Sequence, residues 1–365
     1  MARHIKSLNI DTFRGITNLD LNELADINIL TGDNNGGKTS VLELLESANS
    51  PESAKIWNKI VDRKSNSSMS GYSAYNAFKD LFNINNEIKQ IKYNFRKEDC
   101  ELIEVKIVGK ESKEKLTTGE KDKISLPYMN GFFLNADMVM EDDGRLHNVE
   151  KIELEFNLNG VKKNDFSLYN FQNRYLVEDE MNPQFANVIY ISPTQHAESV
   201  LYLNDVLNEP ILYEEMLNVL KEFDDGIISI NMNDNVYKIL SKNNAKALPL
   251  NVYGDGMKKA VLLMSAVVLA KDGILLLDEF ETAIHTSAMN KVFQWILKTC
   301  MKLNIQLFLT SHSEEAIDKI LKCCPQFQDK MKVFTLYQKK DRTVARELTG
   351  EKAIEVKEQM GLELR

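Results

Sequence analysis

The stretch Gly32-Asp33-Asn34-Asn35-Gly36-Gly37-Lys38-Thr39-Ser40 decides how the rest of this chain is read. It fits G-x-x-x-x-G-K-[ST], the pattern of a phosphate-binding loop. Asp26-Ile27-Asn28-Ile29-Leu30-Thr31 before it has the pattern of a short strand, and Ser40-Val41-Leu42-Glu43-Leu44-Leu45-Glu46 after it opens like an amphipathic helix. Strand, loop and helix are the context the motif requires. Its glycines let the backbone wrap closely around phosphate oxygens, and successive N–H groups with the helix N-terminus hold anionic charge. Lys38 would reach the β- and γ-phosphates, and the Thr39 hydroxyl would ligate Mg²⁺. A Gly/Asn-rich turn without chemistry is the bland alternative, and the flanking strand and helix speak against it.

The chain is 365 residues long, enough for one large domain or two small ones with a full core. Hydrophobic residues make up 43% and charged residues 27%, the balance of a water-soluble globular protein. A net charge of −9 provides no global attraction to nucleic acid or anionic membranes, although 45 Lys and Arg leave room for a local basic patch. No run of about 18 apolar residues occurs, and Met1-Ala2-Arg3-His4-Ile5-Lys6 has no signal-peptide core, so a cytoplasmic protein away from the membrane is expected. Cys100, Cys300, Cys323 and Cys324 form no C-x-x-C pair, which points to incidental thiols rather than a zinc site or disulfide framework.

Ile5–Ile10 and Thr17–Leu21 alternate apolar and polar residues, as two strands of a half-buried antiparallel sheet do. Arg14 lies between them, and composition leaves it open as a surface charge or a phosphate contact. Helices are expected over Ile56–Arg63 and Ala74–Phe82, with a loop between. From Glu87 the character changes. Ile88–Phe95, Leu102–Val108 and Ile152–Leu158 read as strands, and the Lys/Glu-rich segment Lys110–Lys123 reads as a solvated hairpin or loop, with DNA contact as its functional alternative. Asn187–Ser192 is a buried-strand pattern stopped by Pro193. A helix over Leu201–Phe223 with a break near Pro210 precedes short strands at Ile227–Ile230 and Val236–Leu240. A strongly apolar helix then starts at Ala260, and Gly273–Glu279 reads as a central strand ending in two acids. A helix over Thr286–Cys300, the strand Ile305–Thr310, a helix over Glu314–Lys322, a hairpin of Met331–Tyr337 with Thr343–Leu348, and a last helix near Glu351–Met360 complete the chain. Strand–helix alternation on both sides of the middle region predicts a doubly wound α/β core.

The second half supplies the remaining chemistry. Asp278 falls at the carboxyl end of a core strand, where open α/β sheets bind ligands, and there it would hold Mg²⁺ opposite Thr39. Glu279 points elsewhere and is free to orient or deprotonate an attacking water. His312 sits at another strand end beside small hydroxyls, placed to sense a γ-phosphate. His285, just after the acid pair, reads equally as structural or functional. Gly254-Asp255-Gly256 opens a helix with Lys258 and Lys259 in its first turn. Lysine there opposes the helix dipole, which suits a bound anion, while a plain turn and cap is the rival.

This order of phosphate loop, long insertion, Gly-x-Gly helix start, hhhhDE strand and strand-to-His resembles ABC-type ATPase heads. It is closest to the RecF/SMC/OLD branch and its stand-alone OLD-like AAA-type ATPases of bacterial anti-phage defence systems. The resemblance rests on Phe13-Arg14-Gly15, Gly32–Ser40, Gly254-Asp255-Gly256, Leu276-Leu277-Asp278-Glu279-Phe280-Glu281 with His285, Leu309-Thr310-Ser311-His312-Ser313, and the closing Gly361-Leu362-Glu363-Leu364-Arg365. It implies a P-loop NTPase with a mixed core sheet, helices on both faces, an N-terminal antiparallel β part and an α+β insertion. Residues 1–86 and 246–365 would form the two halves of the core around an inserted region, 87–245. It further implies an ATP-sandwich homodimer, or a higher oligomer, in which Gly254, Asp255, Gly256 and Lys258 reach the γ-phosphate held by the partner copy. Glu279 would be the catalytic base, His312 the switch histidine, His285 part of the loop crossing the interface, and Arg14 a phosphate contact. Gln195 is the candidate for a further metal contact.

Two departures stand out. The signature is Gly-Asp-Gly-Met-Lys-Lys rather than Ser-Gly-Gly-Gln, which implies different γ-phosphate contacts and slow hydrolysis. OLD proteins carry a nuclease built on a Glu and a D-x-D pair, and no D-x-D follows His312, so any cutting is expected from a separate effector protein. The sequence thus leads to an Mg²⁺-dependent ATP hydrolase acting as an ATP-gated homodimeric switch on a partner. The rival is a RecF-like clamp that assembles on DNA under ATP control.

Overall fold

The computed structural model describes residues 4–65, 73–125, 143–172, 185–193, 203–233, 236–282, 284, 286–340 and 342–360. Three sheets organise them. The central one runs Arg342–Thr349, Met331–Lys339, Ile27–Gly32, Gln306–Thr310, Ile274–Leu277, Val188–Ile191. All its pairings are parallel except the antiparallel hairpin of Met331–Lys339 with Arg342–Thr349. Its inner strands are buried at every position, as a sheet covered on both faces requires.

Successive side chains of these strands enter different cores. Ile27, Ile29, Leu275, Leu277, Leu307 and Leu309 pack with the helices Asp255–Leu269, Thr286–Lys302 and Glu314–Lys322. Leu30, Ile274, Leu276 and Phe308 pack with the helix Lys38–Ser47 and the second sheet. That second sheet is antiparallel throughout, ordered Ile16–Leu21, Ile5–Phe13, Gln90–Lys97, Leu102–Thr117, Leu146–Leu158, Val161–Tyr169. A small sheet of Ile227–Asn233, Val236–Ser241 and Leu248–Pro249 leads into the helix Asp255–Leu269. A central, mostly parallel sheet with helices on both faces and an antiparallel N-terminal sheet is the mixed α/β arrangement expected from the sequence.

Several segments differ from the sequence reading. Of the two expectations for Lys110–Lys123, an exposed antiparallel strand replaces the loop: the strand Leu102–Thr117 runs through most of it and pairs with Leu146–Leu158 as far as Thr117, and a helix Thr118–Ser125 follows. Lys and Glu are poor strand formers alone. Here they oppose one another across the ladder, Lys110 against Glu153 and Lys113 against Glu150, and Lys151 pairs with Glu114 at 3.2 Å. Cross-strand charge pairing thus replaces the missing apolar alternation. Within residues 87–245, Gln90–Lys97 pairs with Ile5–Phe13, and Val188–Ile191 is an edge strand of the central sheet. The break expected near Pro210 divides the stretch 201–223 into Leu203–Leu207 and Pro210–Leu220, because Pro210 suits a first helical turn and not an interior. The apolar helix runs Asp255–Leu269 with Gly254 as its cap, at the helix start expected for Gly254-Asp255-Gly256.

Candidate active site

In register, Thr310 pairs with Leu30 and Leu309 with Leu277, so the carboxyl ends of three parallel strands meet at one edge. Gly32, Asp278 and Thr310 emerge there. Gly32 has φ 126, and a Cβ on it would lie 2.1 Å from the Leu336 carbonyl oxygen, so only glycine passes the hairpin strand at this point. Asn35 (φ 65) and Gly37 (φ 96) continue the left-handed turns, and the Gly36 N–H closes on the Asp33 carbonyl at 3.1 Å. Gly37 caps the helix Lys38–Ser47.

Lys38 is buried and folds back onto its own loop, its Nζ donating to the carbonyls of Gly32 (2.7 Å) and Asp33 (2.9 Å). Burial lowers the pKa of this ammonium, while Asp278, Asp33, Glu279 and Glu281 pull the other way. Asn34 to Ser40, with Gly15, Ile16 and His312, line an open cleft of about 690 Å³.

Asp278 is buried and accepts three hydroxyl bonds, from Thr39 at 3.1 Å, from Tyr190 at 2.8 Å and from Thr310. A hydroxyl facing a carboxylate is an all-oxygen donor set, which suits Mg²⁺. Glu279 turns away from Asp278 through a left-handed backbone (φ 44), its N–H donating to Thr310 Oγ1 at 2.8 Å. Its carboxylate lies 3.7 Å from His312 Nε2, and both side chains are about two-fifths exposed, 41% and 40%. Glu281 Oε1 accepts from Ser311 Oγ at 2.7 Å and from the His312 N–H at 3.2 Å, fixing the histidine loop. The loop, Thr39, Asp278, Glu279 and His312 therefore come together around one cleft edge.

Other expected site residues lie differently. Arg14 pairs with Glu43 of the helix Lys38–Ser47, at 2.8 and 3.1 Å. The left-handed turn at Arg14 (φ 50) aims its side chain there, and the pair is nearly buried. Lys258 pairs with Asp255 at 2.6 Å, so its charge in the first helical turn is answered within the chain. Gly254, Asp255, Gly256 and Lys258 form the helix start and lie outside the cleft lining. Gln195 and His285 lie outside the described residues.

Sequence reasoning gave no role to Tyr190, Thr310 or Glu281, and read Lys259 only as a cation at a helix start. Lys259 has no exposed surface, reaches the Ser192 carbonyl at 3.4 Å, and is pushed down to about 8 by burial against the pull of Asp278, Glu281 and Glu279. A lysine inside the apolar run of that helix was the available signal. Tyr190 was signalled by a hydroxyl within a buried strand pattern.

Phosphate loop, acid pair and strand-end histidine on this fold define a P-loop ATPase, with the architecture of an ABC head. The chain belongs to the family described as "AAA domain, putative AbiEii toxin, Type IV TA system", whose profile matches residues 60–318. A Helicobacter pylori protein named "ATP/GTP phosphatase" is 24% identical over 366 residues, covering 95% of this chain and 96% of the relative. Two solved structures share the fold. One is an SMC head bound to the C-terminal winged-helix domain of ScpA (TM-score 0.53, 12% identity, 96% of this chain and 99% of that one). The other is an Smc head domain with an extended coiled coil, bound to the C-terminal domain of ScpA derived from Pyrococcus furiosus (TM-score 0.52, 11% identity, 98% and 100%). Among the described residues no helix is long and apolar enough to cross a membrane.

Proposed function

We propose that this ATPase is an Mg²⁺-dependent, ATP-gated homodimeric switch that controls a separate effector protein in anti-phage defence. The observation that carries the dimer is Gly254. Its φ of −62 and ψ of 155 suit any residue, and a Cβ there would meet nothing within 4 Å. Nothing in one copy therefore calls for glycine, in contrast to Gly32. A glycine facing open space at a helix start suits close approach by a group from outside the chain, and an anion is the group such a terminus favours. In an isologous dimer each helix start would meet the nucleotide on the other copy's loop.

Lys38 would exchange its two loop carbonyls for phosphate oxygens, a stronger charge-assisted partner. Thr39 and Asp278 would hold Mg²⁺, which when bound neutralises charge on the β- and γ-phosphates. The rest of its shell would be water and phosphate oxygen, since no group of three His, Cys, Asp or Glu among the described residues could hold a metal alone. Glu279 accepts the proton of the attacking water, whose oxygen bonds to the γ-phosphorus as the bridging oxygen leaves with ADP. His312 Nε2, beside Glu279, would contact the γ-phosphate. The family's description as a toxin–antitoxin component supports the regulatory role.

Mixing two inactive variants tests the reading. Gly254→Leu folds, because its side chain enters open space, but blocks the partner's nucleotide, and Lys38→Ala loses the loop. Mixed equally, half the dimers carry one complete site, so hydrolysis returns to about a quarter of wild type if sites act independently. Full activity of Gly254→Leu alone, or no recovery on mixing, would contradict the shared site.

A further inference from the structure

We infer that Thr310 is a positioning residue that sets Glu279 through a hydroxyl anchored on Asp278. This rests on the roles proposed above for Asp278 and Glu279. Thr310 is the last residue of the strand Gln306–Thr310 and is buried, so it has no direct approach from solvent. Its Oγ1 bonds to Asp278 Oδ1 and also to the Glu279 N–H at 2.8 Å. The direction of both bonds is fixed by chemistry. An ionised carboxylate only accepts and a backbone N–H only donates, so the hydroxyl hydrogen points to Asp278 and its lone pair to Glu279. A threonine hydroxyl has one hydrogen, and here it is committed.

The consequence lies in the backbone of Glu279. A non-glycine residue at φ 44 holds a sparsely populated conformation that persists only where its surroundings impose it. Thr310 imposes it twice, since its hydroxyl takes the Glu279 N–H and its carbonyl takes the Phe280 N–H at 3.3 Å. That turn directs the Glu279 carboxylate away from Asp278 and toward His312. Asp278 keeps its bonds from Tyr190 and Thr39 whatever occupies position 310. Glu279 is the acid that depends on this hydroxyl, and the hydrolytic step is where the loss will show.

Thr310→Val keeps the β-branched shape in a buried strand and deletes both hydroxyl bonds, whereas Thr310→Ser keeps both. Steady-state hydrolysis, binding of a fluorescent ATP analogue, and Mn²⁺ binding to the ADP complex read by electron paramagnetic resonance separate the outcomes. For Thr310→Val, kcat falls on the order of 10²-fold, as for a misplaced catalytic group. Its KM and analogue affinity stay within about threefold of wild type, its Mn²⁺ affinity falls less than kcat does, and Thr310→Ser restores the rate. A Thr310→Val protein that hydrolyses ATP within about twofold of wild type while Glu279→Gln is inactive would overturn the positioning role and leave the acid assignment standing. Equal losses in kcat and nucleotide affinity would also overturn it, as a general disturbance of the site. Undiminished hydrolysis by Glu279→Gln would remove the base assignment and this inference with it.

Discussion

Replacing Lys259 with methionine should make the protein more stable, and by an amount that depends on pH. Lys259 has no exposed surface, and its ammonium is pushed from 10.5 to about 8, with burial outweighing the attraction of Asp278, Glu281 and Glu279. Below pH 8 the lysine is protonated both in the folded protein and in the unfolded chain, so folding bears the full penalty of burying the charge. Between about 8 and 10.5 the unfolded chain binds more protons than the folded one, and stability contributed by this site rises with pH across that window. A difference near 2.5 pH units corresponds to roughly 3 kcal/mol at about 1.4 kcal/mol per unit. Lys259→Met keeps the length of the side chain and removes the charge. Urea unfolding of both proteins across the window should therefore show the variant more stable by roughly 3 kcal/mol at neutral pH. The gap should close as pH approaches 10.5. A variant less stable than wild type at neutral pH would refute the reasoning, because the three acids would then hold the charge more strongly than burial opposes it. A constant gap across the window would refute it as well.

Further outcomes follow from the same contacts. Lys38→Ala removes the charge-assisted bond to phosphate, and equilibrium binding of a fluorescent ATP analogue should weaken by about 10- to 100-fold. Gly32→Ala sets a Cβ 2.1 Å from the Leu336 carbonyl in a left-handed backbone and should destabilise by about 3 kcal/mol, whereas Gly15→Ala, with nothing within 4 Å, should melt like wild type. Arg14→Met leaves Glu43 buried without its partner and should cost about 3 kcal/mol in urea unfolding, most of it recovered by adding Glu43→Leu.

The phosphate loop, the acid pair and the strand-end histidine were legible because each lies in a short motif whose spacing is its chemistry. The buried strands beside them were legible because a sheet covered on both faces leaves unbroken apolar runs. What escaped depended on partners distant in sequence. Arg14 reads as a free cation until the turn at residues 14 and 15 sets it against Glu43. Lys258 and Lys259 are adjacent and alike, yet one helical step separates an ion pair with Asp255 from burial behind the acid pair. The extension of the strand from Val108 to Thr117 hid behind its charges because its stabilising partners arrive only with Leu146–Leu158. Thr310 looked like a strand terminus beside a histidine, and its role exists only once the strand Ile274–Leu277 brings Asp278 alongside.

The most direct measurement of the ATP-gated dimer is the solution mass of the Glu279→Gln protein by sedimentation equilibrium, with and without Mg·ATP. That variant binds nucleotide but should not turn it over, so closed dimers accumulate. The prediction is a single-chain mass without nucleotide and twice that mass with Mg·ATP, with no doubling in Gly254→Leu or Lys38→Ala. A mass unchanged by ATP in a protein that demonstrably binds it would contradict a site shared between two copies.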